Sequence, residues 1–225
     1  MAFFTRKQKL CLTAFGIIYT WILVYCRFHS ARDPTSYFFQ PEASYRPQHS
    51  IARVQESLRF LSSSNASAPP GTSATNHTLC VGIVTTKRPQ AQHLNVTVGA
   101  LLEGLSPDQR ASLAVHVLFA HVRPQQHPDY KLPWVSRLAD HAFTYKDLRA
   151  PVPVLRRLER ERKVSEKSLF DYRLLLQSCR TRTNAPWIMA LEDDVVAQKH
   201  WYERTLQAIE TVEQWALQGM VDRWL

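Results

Sequence analysis

The sequence predicts an α/β fold, a parallel-rich sheet flanked by helices, preceded by one transmembrane helix. Three observations carry that expectation. Short, nearly continuous apolar runs, the mark of strands buried on both faces, recur along residues 78–225. They alternate with stretches in which apolar residues return at helical spacing. Ahead of them lies an uncharged apolar run close to the length that crosses a bilayer.

That run, Leu10 to Tyr25 (LCLTAFGIIYTWILVY), follows Arg6, Lys7 and Lys9 and precedes Arg27 and Arg32. It reaches spanning length when Cys26 and Phe28 are counted and Arg27 snorkels to the interface. A cleaved signal peptide also starts with a basic region, but Cys26-Arg27-Phe28-His29 lacks a small-x-small cleavage pattern. An uncleaved anchor is therefore expected over 10–26, behind a cytosolic tail of residues 1–9. Basic residues on both sides give only a slight positive-inside bias. Three N-x-S/T triplets, at Asn65, Asn76 and Asn95, all follow the run and place the body in a lumen. Asn95 is the weakest of them, because it falls within a predicted helix.

Residues 27–77 read as a stem and linker. Pro34, Pro41 and Pro47 punctuate it, and Ile51 to Leu61 has the pattern of a short amphipathic helix. Ser62 to Thr75 (SSSNASAPPGTSAT) has too little apolar surface to fold alone. The body, 78–225, opens with the strand Leu79 to Thr86, followed by a helix from His93 to Leu105. Ser106-Pro107-Asp108 breaks that helix before a second strand, Leu113 to Val122, and a short third, His141 to Tyr145. Ser165 to Arg180 predicts a helix capped by Ser165, with Leu169, Tyr172, Leu175 and Leu176 facing inward. Trp187 to Leu191 predicts another buried strand, and Lys199 to Leu217 a closing amphipathic helix.

At 225 residues the chain holds one domain plus appendages. The formal charge of +9 and a pI near 9.6 raise the question of nucleic acid. The basic residues are dispersed, however, and no zinc-finger spacing, RNA-binding aromatic signature or basic helix is present, so no nucleic-acid partner is expected. The basic stretch Arg156 to Lys163 reads as a solvated face. Cys80 and Cys179 lie in the expected lumen, where disulfides persist. They can bridge to each other, pair elsewhere or stay buried as thiols.

In open α/β sheets, ligands bind beyond the carboxyl ends of the strands. Two such ends carry polar clusters, Thr85-Thr86-Lys87-Arg88 and Glu192-Asp193-Asp194. Three successive carboxylates after five apolar residues repel one another unless a cation intervenes. A divalent ion with hard oxygen ligands, magnesium or manganese, meets that need and can hold a diphosphate. In an extended backbone Glu192 and Asp194 share a face while Asp193 points away. The same triplet also reads as an acidic turn capping the next helix. Lys167 and Asp171 share a helix face beside Tyr172. They read either as a patch for phosphate and ribose or as a surface ion pair. No P-loop, GxGxxG or GxSxG motif appears, and the histidines have no metal-site spacing, so His93, His116 and His121 are taken as core-edge or surface residues.

Together, Lys167-Ser168-Leu169-Phe170-Asp171-Tyr172 and Trp187-Ile188-Met189-Ala190-Leu191-Glu192-Asp193-Asp194-Val195 resemble the K-x-x-x-D-Y and apolar-E-D-D pattern of a group of GT-A glycosyltransferases. That group includes the N-acetylglucosaminyltransferase IV family and the post-GPI-attachment N-acetylgalactosaminyltransferases. The first strand, Cys80 to Thr86, followed by Lys87-Arg88-Pro89 resembles its counterpart in the latter. The resemblance spans about Leu79 to Leu217 and implies a Rossmann-like GT-A sheet. It implies Asp194 as ligand to manganese and diphosphate, with Thr85, Arg88, Lys167, Asp171, Tyr172, Glu192 and Asp193 lining the donor side. The implied donor is UDP-GalNAc, the implied acceptor the mannose core of a GPI glycan or GPI-anchored protein, and the implied location the Golgi membrane. Enzymes of this group continue past the helix after the acidic triplet, so the chain is expected to carry the N-terminal portion of the domain. It names no catalytic base.

Overall fold

A computed structural model describes residues 5–31, 33–40, 50–63, 76–89 and 91–221. The chain divides into two compact units, residues 1–49 and 50–225.

The first unit is built on helix α1 (Arg6–His29). Thr5 caps it in a reciprocal box with Gln8, which satisfies two of its terminal amides. The Thr13 and Thr20 hydroxyls donate back to the carbonyls of Lys9 and Gly16, so their polarity stays within the helix. At 24 residues α1 is about 36 Å long, enough to cross a hydrocarbon core of about 30 Å. Its leucines, isoleucines and aromatics are exposed, and by length and composition it can span a membrane.

The second unit opens with α2 (Ser50–Ser62), then β1 (Leu79–Thr85), α3 (Leu94–Leu102) and α4 (Pro107–Ser112). β2 (Leu113–Phe119), α5 (Pro133–Leu138), β3 (His141–Thr144) and α6 (Val152–Arg160) follow. α7 (Val164–Arg182), β4 (Trp187–Glu192) and α8 (Trp201–Val221) complete it. The four strands form one all-parallel sheet in the order β3-β2-β1-β4. The central strands alternate between two cores. Leu79, Val81, Ile83, Leu113, Val115, Val117 and Phe119 face α3, α5 and α8. Cys80, Gly82, Val84, His116 and Leu118 face the opposite layer of α6 and α7.

Several expectations need correction. The helix placed in the stem packs onto the body: Arg53 of α2 is buried, donates to the carbonyls of Ala100 and Ala197, and pairs with Glu103. Ser57 of α2 sits so close to Gly99 that a Cβ there would lie 2.8 Å from its carbonyl oxygen. The linker from 64 to 75, with Asn65, lies outside the described residues. α7 begins at Val164 and has no side-chain cap, so Ser165 is not its N-cap. Its phase also differs from the expected stripe. Leu169 is 74% exposed and Leu176 is exposed too, while Asp171, Leu174, Leu175, Ser178 and Cys179 face the sheet. Polar residues take inward positions because partners await them: Tyr145 for Asp171 and His116 for Ser178. β4 is an edge strand of the described sheet and only half buried, because nothing pairs with its outer side there. Its expected burial on both faces is not found.

Candidate functional site

Strand order runs from β1 to β2 to β3 in one direction, while β4 lies on the other side of β1. The sheet therefore has its topological switch point between β1 and β4, and the crevice beyond their carboxyl ends is where such sheets bind ligands. Thr85 ends β1 and Glu192 ends β4. A cavity of about 610 Å³ opens there, lined by Arg88, His121, Lys167, Tyr172, Glu192 and Asp193 among others. It falls within the range of small-molecule sites.

The acidic triplet does not behave as an extended strand. β4 stops at Glu192 and the chain turns, so the expected shared face of Glu192 and Asp194 is lost. Glu192 accepts from the Tyr172 hydroxyl at 3.2 Å. Asp193 turns inward, is 2% exposed, and accepts from Thr85 at 2.6 Å. Its other oxygen takes two donors from Arg88, at 3.2 and 2.6 Å, and its carbonyl takes the Thr97 hydroxyl at 2.7 Å. Arg88 also reaches Asp194 at 3.0 Å. The cation that three adjacent acids require is thus supplied by the protein. The Asp193 hydrogen bond holds the Arg88 guanidinium pKa above its usual value, against burial, and the neighbouring carboxylates add to the rise.

The facing wall is α7. Lys167 donates to Asp171 at 2.9 Å and to the Ala120 carbonyl at 2.9 Å. Tyr145 donates to the other Asp171 oxygen at 2.6 Å. The pair is buried, not the surface ion pair that was one of its two readings, and both Asp171 oxygens are engaged. Asp171 therefore anchors Lys167 and Tyr145. Burial, then the Asp171 carboxylate, pushes the Tyr145 hydroxyl far above its ordinary pKa. Burial and Glu192 raise Tyr172 as well.

Sequence reading missed His127 and took His116 for a core-edge or surface residue, whereas His121 is half-buried, as expected of the core edge. His116 is buried, with Nδ1 3.0 Å from the Ser178 hydroxyl, and burial lowers its pKa to about 4. His121 accepts from the Lys87 amide at 2.7 Å, and burial first, then Lys167, lowers it to about 4. His127 is buried against Thr85. Burial lowers its pKa too, against the pull of Asp129 and Asp193. An isolated histidine 42 residues from Thr85 carries no signal in the sequence.

Among the described residues, the one gathering of three metal-ligating groups is Cys80, His116 and Cys179, and the two cysteines are joined in a disulfide. The acidic triplet does not form a cage. Asp194 accepts a hydrogen bond from Arg88, and its side chain is 44% exposed. That suits the mode in which magnesium or manganese binds through one carboxylate plus ligand phosphates. Asn76 is exposed. Asn95 lies in α3, and the Thr97 hydroxyl of its triplet is engaged by Asp193. Compared with known proteins, the chain matches no family model, no curated protein and no solved structure.

Proposed function

We propose that the chain is the donor-binding part of a membrane-anchored glycosyltransferase that uses a nucleotide-sugar. One observation carries this reading: the cavity at the β1/β4 switch point sets Arg88 and Lys167 beside the acidic end of β4. Such a site pairs cations for a diphosphate with an exposed carboxylate, Asp194, for a bridging divalent ion. Arg88 would exchange Asp194 for phosphate when donor enters and keep its paired contact to Asp193. Tyr172 and His121 offer flat faces for a base. The choice of UDP-GalNAc as donor, of the GPI mannose core as acceptor and of the Golgi membrane as location rests on the sequence resemblance. The anchor reading of α1 agrees with a lumenal body that meets membrane-bound acceptors.

The test is UDP-dependent stabilisation of the full chain in detergent, with and without manganese. At a UDP concentration 100 times Kd, binding adds about 2.7 kcal/mol. Asp194→Ala should abolish the manganese-dependent part while leaving the unliganded melting temperature unchanged. A wild-type protein that shows no shift with UDP and manganese would sink the proposal and favour a non-catalytic lumenal protein.

A further inference from the structure

The direction of every proton in the buried chain behind Asp193 follows from geometry. The Asp129 amide donates to His127 Nδ1 at 3.1 Å, so that nitrogen is an acceptor and carries no proton. The neutral ring must then hold its proton on Nε2, which lies 2.9 Å from the Thr85 hydroxyl oxygen. Thr85 has one proton, and it goes to Asp193 at 2.6 Å. The two assignments agree: Nε2 donates, Thr85 accepts and passes its own proton forward. The ring is held by the edge-to-face contacts of Phe119, which also packs against Tyr130. Thr85, His127 and Asp193 are each at most 2% exposed, so water does not substitute for any link.

We infer that His127 is a positioning residue for the acidic end of the cavity, acting through Thr85 to hold Asp193 and hence Arg88. Without the Nε2 donor, the Thr85 hydroxyl can rotate away from Asp193. The buried carboxylate then keeps Arg88 as its sole side-chain donor, and the guanidinium loses its fixed seat. Asp129 belongs to the same arrangement. Its Oδ2 is buried without a hydrogen-bond partner, and its backbone amide sets the tautomer. This inference concerns the unliganded protein; its consequence for nucleotide rests on the donor-site reading above.

The test is the rate at which phenylglyoxal modifies Arg88, resolved by peptide mass spectrometry on the full chain in detergent micelles without nucleotide. His127→Phe keeps the ring's bulk and removes the donor. It should speed Arg88 labelling about fivefold, the scale of one lost buried hydrogen bond. The rate at Arg110, buried and bonded to the Leu113 and Leu138 carbonyls and to Asp140, should stay as slow as in wild type and reports an intact fold. His127→Gln, whose amide nitrogen reaches the place of Nε2, should restore the Arg88 rate to within about twofold of wild type. An unchanged Arg88 rate in folded His127→Phe overturns the inference, as does failure of His127→Gln to rescue. Should His127→Phe speed Arg110 labelling as well, Thr85→Val breaks the same chain at its middle. It must give the same acceleration, and an unchanged rate there also overturns the inference. UDP–manganese affinity, measured on the same variants, should fall together with the labelling change. A wild type that binds no UDP while the labelling pattern holds leaves His127 in its role and removes only the nucleotide.

Discussion

β1 and α7 meet twice, and the two meetings differ. At the start of β1 and the end of α7, Cys80 and Cys179 are joined in a disulfide with both residues fully buried. Two residues on, Gly82 leaves no room: a Cβ there would lie 2.6 Å from Leu175 Cγ. At the other end Thr86 and Arg88 line, with Lys167, Asp171 and Tyr172, a cavity of about 610 Å³. Small residues and a covalent bond close one end. Large, charged, mutually bonded side chains hold the other open. The difference teaches that the cavity is bounded by its anchors, because a helix fixed at one end needs only polar spacers at the other.

The largest test of that contrast is to unlock the closed end. Cys80→Ala with Cys179→Ala removes a cross-link spanning 99 residues, which should cost about 3–4 kcal/mol of stability. Chemical denaturation would measure it. UDP affinity, if the cavity binds it, should stay within about twofold, and a large loss would show that the closed end shapes the cavity directly.

Arg88→Ala attacks the open end. It leaves Asp193 buried with Thr85 as its remaining side-chain donor, and should cost about 2–3 kcal/mol, a buried-pair penalty discounted because Arg88 is partly exposed. Asp193→Asn should rescue much of the loss in the double variant. Absence of rescue would mean that the charge on Asp193 is not what Arg88 compensates.

Acid separates the ends by a different route. His116, at the closed end, has a folded pKa of about 4 against 6.5 unfolded. A group whose folded value is depressed binds more protons when unfolded, so stability falls as pH drops below about 6.5 and the loss levels off near 4. At pH 5 His116 alone should cost about 2 kcal/mol. His116→Gln should flatten melting temperature against pH over that window. His121 at the open end, depressed to about 4 as well, should leave a residual slope in that variant. A curve in His116→Gln as steep as wild type would assign the acid sensitivity to the open end.

The smallest effect is expected at Tyr172→Phe. It removes one exposed 3.2 Å hydrogen bond to Glu192 and should shift stability by less than about 0.5 kcal/mol. UDP affinity should change only a few-fold, since the ring face remains.

Much of this was legible along the chain. The runs at Leu79 and Leu113 formed the two central parallel strands within one to three residues of the expected ends, because strands buried on both faces are apolar throughout. The polar ends at Thr85 and Glu192 converged, because parallel strands place their carboxyl ends on one edge. The helical phase of α7 was not legible. Hydrophobicity favours Leu169 inward, whereas Asp171 and Ser178 are buried because Tyr145 and His116, distant in sequence, satisfy them.

The sequence by itself determined the elements that local chemistry specifies: the apolar helix α1, the alternation of strands and helices, and the acidic triplet at a strand end. Periodicity and composition are properties of neighbours in the chain, and they need no partner to be read. Only the tertiary structure decided that Arg88 is the cation between Asp193 and Asp194, that Asp171 is committed to Lys167 and Tyr145, and that His127 stands behind Thr85. Each of these joins residues whose spacing carries no period, and a buried polar group is explained by the partner that folding delivers to it.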